Sequence, residues 1–177
     1  MAVSSHRRTS GSWELRKIEL GQTVTILANV GVLAGLLLLA FELNQNRQMM
    51  EAQTRHEMAQ SIVEQLGEIA SNADLANLEY RGRCGKLESE VEELRFFSHV
   101  NSRLRYWEDA HYQYRQGLYG ESEFVTQKEA WRSYIQNSAT RDAWNRMKGA
   151  FSLEFVAEMD ALLADTDAAQ FEIVSCS

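Results

Sequence analysis

Residues 24–41 read VTILANVGVLAGLLLLAF, eighteen consecutive positions without a charge. As a helix rising about 1.5 Å per residue, this stretch is about 27 Å long, enough to cross the hydrocarbon core of a bilayer. Only Thr25 and Asn29 are polar, so it lacks the hydrophilic stripe that a helix of a soluble core turns to water. Its end also lacks the small-residue pattern of a cleaved signal, because Leu38-Leu39-Ala40-Phe41 runs directly into Glu42-Leu43-Asn44-Gln45. The stretch reads as a retained transmembrane helix, and everything else is placed relative to it. Gly31 and Gly35, with Ala28 a turn earlier, form a small-residue face on which two such helices can approach closely, and Asn29 adds an interhelical hydrogen-bonding group.

Residues 1–23 form a basic leader in which Arg7, Arg8, Arg16 and Lys17 outnumber Glu14 and Glu19. Past the span, only Arg47 and Arg55 lie within reach of the bilayer. The excess of positive charge before the span predicts a single-pass inner-membrane protein with a cytoplasmic N-terminus and a C-terminal domain that is external or periplasmic.

The remainder has no Pro anywhere and no Gly between Phe41 and Gln65, so the membrane helix is expected to continue as a hydrated stalk over 42–58. Apolar spacing resumes at Ala59, Ile62, Val63, Leu66, Ile69 and Ala70, one face of a helix, where the domain over 59–164 is expected to begin. Asp74 is a candidate N-cap after the Ser71-Asn72-Ala73 turn, and Gly82 and Gly85 mark a second break around Cys84. A long helix follows, opened by Glu88, Glu90, Glu92 and Glu93 and patterned by Leu87, Val91, Leu94, Phe97, Leu104, Trp107, His111, Tyr114 and Leu118. Shorter helices are expected near 122–136, 140–148 and 152–163, with a tail over 165–177. The fold class is all-α: a transmembrane helix continuing into a stalk, then a small antiparallel helical bundle.

The chain carries a net charge of -7, and residues 42–177 hold 14 basic against 23 acidic side chains, or -9. A domain of that sign repels phosphate backbones, which excludes nucleic acid as its expected partner. No nucleophile elbow, phosphate loop or dinucleotide fingerprint is present, and no cofactor is implied.

Three groups of side chains are candidates for function. Glu108 and His111 have the Glu-x-x-His spacing of half a di-metal carboxylate site, but a full site needs a second such motif and two further carboxylates. The plainer reading is a half-buried His111 hydrogen-bonded to Glu108 one turn away. Trp107, Glu108, His111, Tyr112, Tyr114 and Arg115, with nearby Tyr106, are candidates for a ligand or partner surface, although aromatics at helical spacing are far more often core and rim packing. Cys84 and Cys176 either pair as a disulfide in an oxidising compartment or remain two thiols.

The segments WEDAHYQYRQGLYGESEF and RDAWNRMKGAFSLEFVAEMD, after a membrane helix with a Gln/Asn-rich exit, resemble a family of short bacterial membrane-anchored helical proteins without an assigned activity. The pattern is Trp-Glu-Asn, Tyr-Gln-Tyr, Gly-Leu, then a Trp before Phe-Ser-x-Glu-Phe, and it covers about residues 22–163. Asp109, His111 and the long basic leader depart from it. The resemblance implies an anchored helical domain and supplies no reaction. The expected function is a non-catalytic interaction or accessory module whose partner, besides the bilayer, is another membrane protein or a second copy of the chain. A ligand-sensing module is the alternative, and a metal-dependent enzyme using Glu108 and His111 the third.

Overall fold

A computed structural model describes residues 11–164 and Cys176, with side chains described from Gly21 onward. The described residues contain helices and no strand: α1 (Gly11–Ser71), α2 (Ala73–Arg83), α3 (Glu90–Arg115), α4 (Glu121–Ile135), α5 (Ser138–Met147) and α6 (Leu153–Ala164), with a 3-10 turn at Lys148–Ala150. The chain divides into two compact units, Met1–Gln48 and Met49–Ser177.

The first unit contains the N-terminal part of α1. Its apolar side chains between Val24 and Leu43 are exposed, and an 18-residue window reaches a mean hydropathy of 2.4. By length and composition the helix can cross a membrane.

In the second unit the breaks between helices are set by local chemistry. At the α1–α2 junction the Asn72 side chain accepts from the backbone N–H groups of Asp74 and Leu75, both at 3.1 Å. The N-cap is thus Asn72 rather than Asp74, because its side chain is the one placed to meet the orphan donors of the first turn. Asp74 instead pairs with Arg95 of α3. The chain leaves α2 through Gly85, whose φ of 64° favours a residue without Cβ. Ser89 caps α3 by accepting from Glu92 N–H.

Helix α3 is the central element and packs against α2, α4, α5 and α6. Its buried face runs through Phe96, Val100, Leu104, Trp107, Ala110 and His111. Against it lie Leu78 of α2, Trp131 and Ile135 of α4, Trp144 of α5, and Phe155 and Met159 of α6. Trp131 stacks on Trp107 at 5.3 Å and meets Phe124 edge-on at 5.5 Å. Gly82 permits the α2–α3 contact, since a Cβ there would stand 2.2 Å from the Phe96 ring.

Two expected apolar faces are not core. Val91 and Leu94 are 66% and 68% exposed. Thirteen residues of α-helix turn through roughly 1,300°, which leaves Val91 about 220° around the axis from Leu104. The start of α3 is held instead by ion pairs from Arg81 to Glu88 and Glu92. On α1, among the described residues, only Thr54 and Met58 are buried, whereas Ile62, Val63 and Leu66 are exposed. This stretch borders an opening rather than filling a core.

Candidate functional site

That opening is a groove of about 440 Å³, formed wholly within the second unit. Ile62, Gln65, Leu66 and Ile69 of α1 make one wall, because positions three and four apart share a helix face. Ala76 and Tyr80 of α2, Tyr106 and Trp107 of α3, and Ala130 and Trp131 of α4 supply the others. The volume lies within the ~300–1,000 Å³ typical of small-molecule sites, and the lining is mostly apolar with few polar groups. One rim is fastened by a relay of phenols and an amide. Tyr106 donates to the Met58 carbonyl of α1 at 3.3 Å, Gln127 donates to Tyr106 Oη, and Tyr119 donates to Gln127 Oε1. Burial raises the Tyr106 phenol to about 12, so it remains a donor near neutrality.

A charged cluster also lines the groove. Glu79 Oε1 accepts three bonds, from Arg83 Nε at 3.2 Å, Arg103 Nη1 at 3.0 Å and Tyr134 Oη at 3.0 Å. Both guanidiniums also lie over the Tyr134 ring, at 4.3 and 4.1 Å. Burial by itself would raise the Glu79 carboxyl, but Arg103 and Arg83, with His99 and the Tyr134 hydroxyl, hold it below its ordinary value. Its second oxygen faces His99 Nε2 at 3.6 Å. Burial, together with Arg103, outweighs Glu79 and keeps the His99 imidazole below its ordinary range. The cluster therefore holds two guanidiniums to one carboxylate, an excess of one positive charge inside an acidic domain. Trp131 Nε1, buried at the groove, meets no acceptor among the described residues.

The residues singled out from sequence do not form one surface. Trp107 lines the groove. Glu108 turns elsewhere, accepting from Arg105 and from the backbone N–H of Ser152, where it tethers the start of α6 to α3. His111 does not bond to Glu108; its ring lies 6.0 Å from Phe124 and 5.9 Å from Phe155, and burial lowers its pKa. The expected Glu108–His111 hydrogen bond fails because each side chain finds a partner across the helix packing instead. Tyr112 is exposed, Tyr114 stacks on Phe124 at 4.1 Å, and Arg115 pairs with Glu154 at 3.5 Å. Among the described residues no three His, Cys, Asp or Glu side chains gather to hold a metal ion. Ala28, Asn29, Gly31 and Gly35 lie on the exposed part of α1, and a Cβ at either glycine would meet nothing within 4 Å. Cys84, at the end of α2, is joined to Cys176 across 92 positions.

Sequence reading missed Glu79, Arg83, Arg103 and Tyr134. Glu79–Arg83 and His99–Arg103 are visible as pairs four apart, but their convergence spans 24 and 55 positions and requires the helix packing. Comparison with family models, curated proteins and solved structures gives no match.

Proposed function

We propose that the chain is a single-pass, membrane-anchored binding module without catalytic activity, which takes an apolar ligand into the groove between α1, α2, α3 and α4. The observation carrying this reading is the groove itself: an apolar cleft of about 440 Å³ with a buried ion cluster along it. A core that merely packed would bring Ile62 and Leu66 against Trp131, whereas they remain exposed. The anchor is the uncharged run over 24–41, and the helices after it form an antiparallel bundle of the kind implied by the bacterial family that the motifs resemble. The Cys84–Cys176 link supports placing the domain on the oxidising side of the membrane, in agreement with the positive leader.

The test uses the full chain in lipid nanodiscs, titrated with the neutral dye N-phenyl-1-naphthylamine. Energy transfer from Trp107 and Trp131 should saturate at one dye per chain. Ala130→Trp, an exposed substitution that fills the groove, should abolish the saturable part. Transfer that only rises linearly, as partition into lipid would give, overturns the reading.

A further inference from the structure

The charge along the groove identifies the ligand more closely than its apolar walls do. Its lining side chains include two guanidiniums, Arg83 and Arg103, and one carboxylate, Glu79. Arg103 is engaged with Glu79 and His99, whereas Arg83 spends only its Nε on Glu79 and makes no hydrogen bond through its terminal nitrogens among the described residues. Trp131 Nε1 is a second donor without an acceptor. A cationic head would meet the surplus of positive charge, and the one carboxylate receives three donors on one oxygen, while the other accepts no hydrogen bond but is fully buried and faces His99, which does not line the groove. An anionic head would give the terminal nitrogens of Arg83 a charged acceptor, and its charge would balance the cluster. The rest of the ligand must suit Ile62, Leu66, Ile69 and the aromatic rings, so it is an aliphatic body of modest volume.

We infer that the groove binds a single-chain amphiphile with a carboxylate head, a long-chain fatty acid, its chain along the α1 wall and its head toward Arg83. This rests on the groove being a ligand site at all. It goes further in fixing a charged head and in predicting that the head, not only the chain, contributes to affinity. The excess charge stays in place near neutrality: Arg103 and Arg83 hold the Glu79 carboxyl ionised against its burial, and burial keeps the His99 imidazole neutral.

The experiment uses the full chain in zwitterionic nanodiscs with two photoreactive probes, hexadecanoic acid and hexadecanol carrying the same diazirine, followed by peptide mapping of the adducts. The acid should label peptides containing Leu66 and Trp131 saturably, at concentrations about tenfold below those the alcohol requires, as expected for one charge-assisted contact. Arg83→Gln should bring the acid down to the level of the alcohol. Leu66→Asp, at an exposed position that leaves the core intact, should weaken labelling by the acid more than by the alcohol, and it carries the test should Arg83→Gln not fold. Equal groove labelling by both probes overturns the carboxylate assignment and leaves the groove reading standing. Adducts confined to residues 24–41 for both probes overturn the two together.

Discussion

The Tyr134 hydroxyl on α4 donates a 3.0 Å hydrogen bond to the Glu79 carboxylate on α2, joining residues 55 positions apart. Both residues are buried, and Arg83 and Arg103 each contact the carboxylate and the ring together. The cluster thus ties α2, α3 and α4 at the groove, and its removal has two distinguishable consequences.

Glu79→Gln leaves two nearly buried guanidiniums without a counter-ion and should cost about 3 kcal/mol or more. Tyr134→Phe removes one hydrogen bond to a charged acceptor and should cost about 1.5–3 kcal/mol. Urea unfolding of the full chain in detergent measures both, and equal, negligible losses would show that the cluster does not hold the helices.

Gly82→Ala is a test of sign. In an exposed helix the change would stabilise by about 1 kcal/mol. Here the added Cβ would overlap the Phe96 ring, so a loss of about 1–3 kcal/mol is expected. Combining it with Phe96→Leu should recover part of that loss, and a stabilised single variant would refute the close α2–α3 approach.

Acidification should destabilise the domain. Glu79, His99 and His111 all titrate below their ordinary values when folded. Each group therefore binds protons more readily unfolded, so its stabilisation is present above the unfolded pKa and is lost as pH falls through the folded one. For the histidines the loss begins near pH ~6.5, and for Glu79 near ~4.3. His99 is faced by Glu79, Arg103, Glu68 and Arg83, and His111 by Glu158 and Glu154 of α6, Arg115 of α3 and Lys128 of α4. The melting temperature should be lower at roughly pH 5.5 than at roughly pH 7.5. His111→Phe should keep the helical fold and reduce that difference, whereas an unchanged pH profile would contradict the buried, neutral imidazole.

Removing the Cys84–Cys176 link by Cys84→Ser should lower stability by about 2–4 kcal/mol, since it closes a long loop. Urea midpoints with and without reductant report this directly: the unsubstituted chain should respond to reductant and the variant should not.

Helix type and rough extent were legible because Pro is absent and apolar residues recur at three and four. Phe97, Leu104, Trp107 and His111 were correctly placed toward the inside of α3, but Val91 and Leu94 were drawn into the same pattern although they lie out of phase with Leu104. Asn72 and Asp74 both suit an N-cap, and only the backbone geometry selects Asn72. The candidate site was hidden for a different reason. Glu79 and Arg83 look like an ordinary surface pair on one helix, and nothing local to Arg103 or Tyr134 says that both turn toward them. Ile62 and Leu66 had the pattern of a core face, and a period alone does not distinguish a face that is covered from one that lines a cleft.

The most direct measurement of the central claim is the rate at which a membrane-impermeant thiol reagent modifies Leu66→Cys in intact cells expressing the full chain. Leu66 lines the groove and is 61% exposed, and the native cysteines are bonded to each other. The account predicts modification from outside the cell, slowed severalfold by saturating hexadecanoic acid, while Gln53→Cys on the same helix reacts at an unchanged rate. Modification of Leu66→Cys only after lysis, or at a rate that the acid leaves untouched, would contradict an external, membrane-anchored module that binds its ligand in this groove.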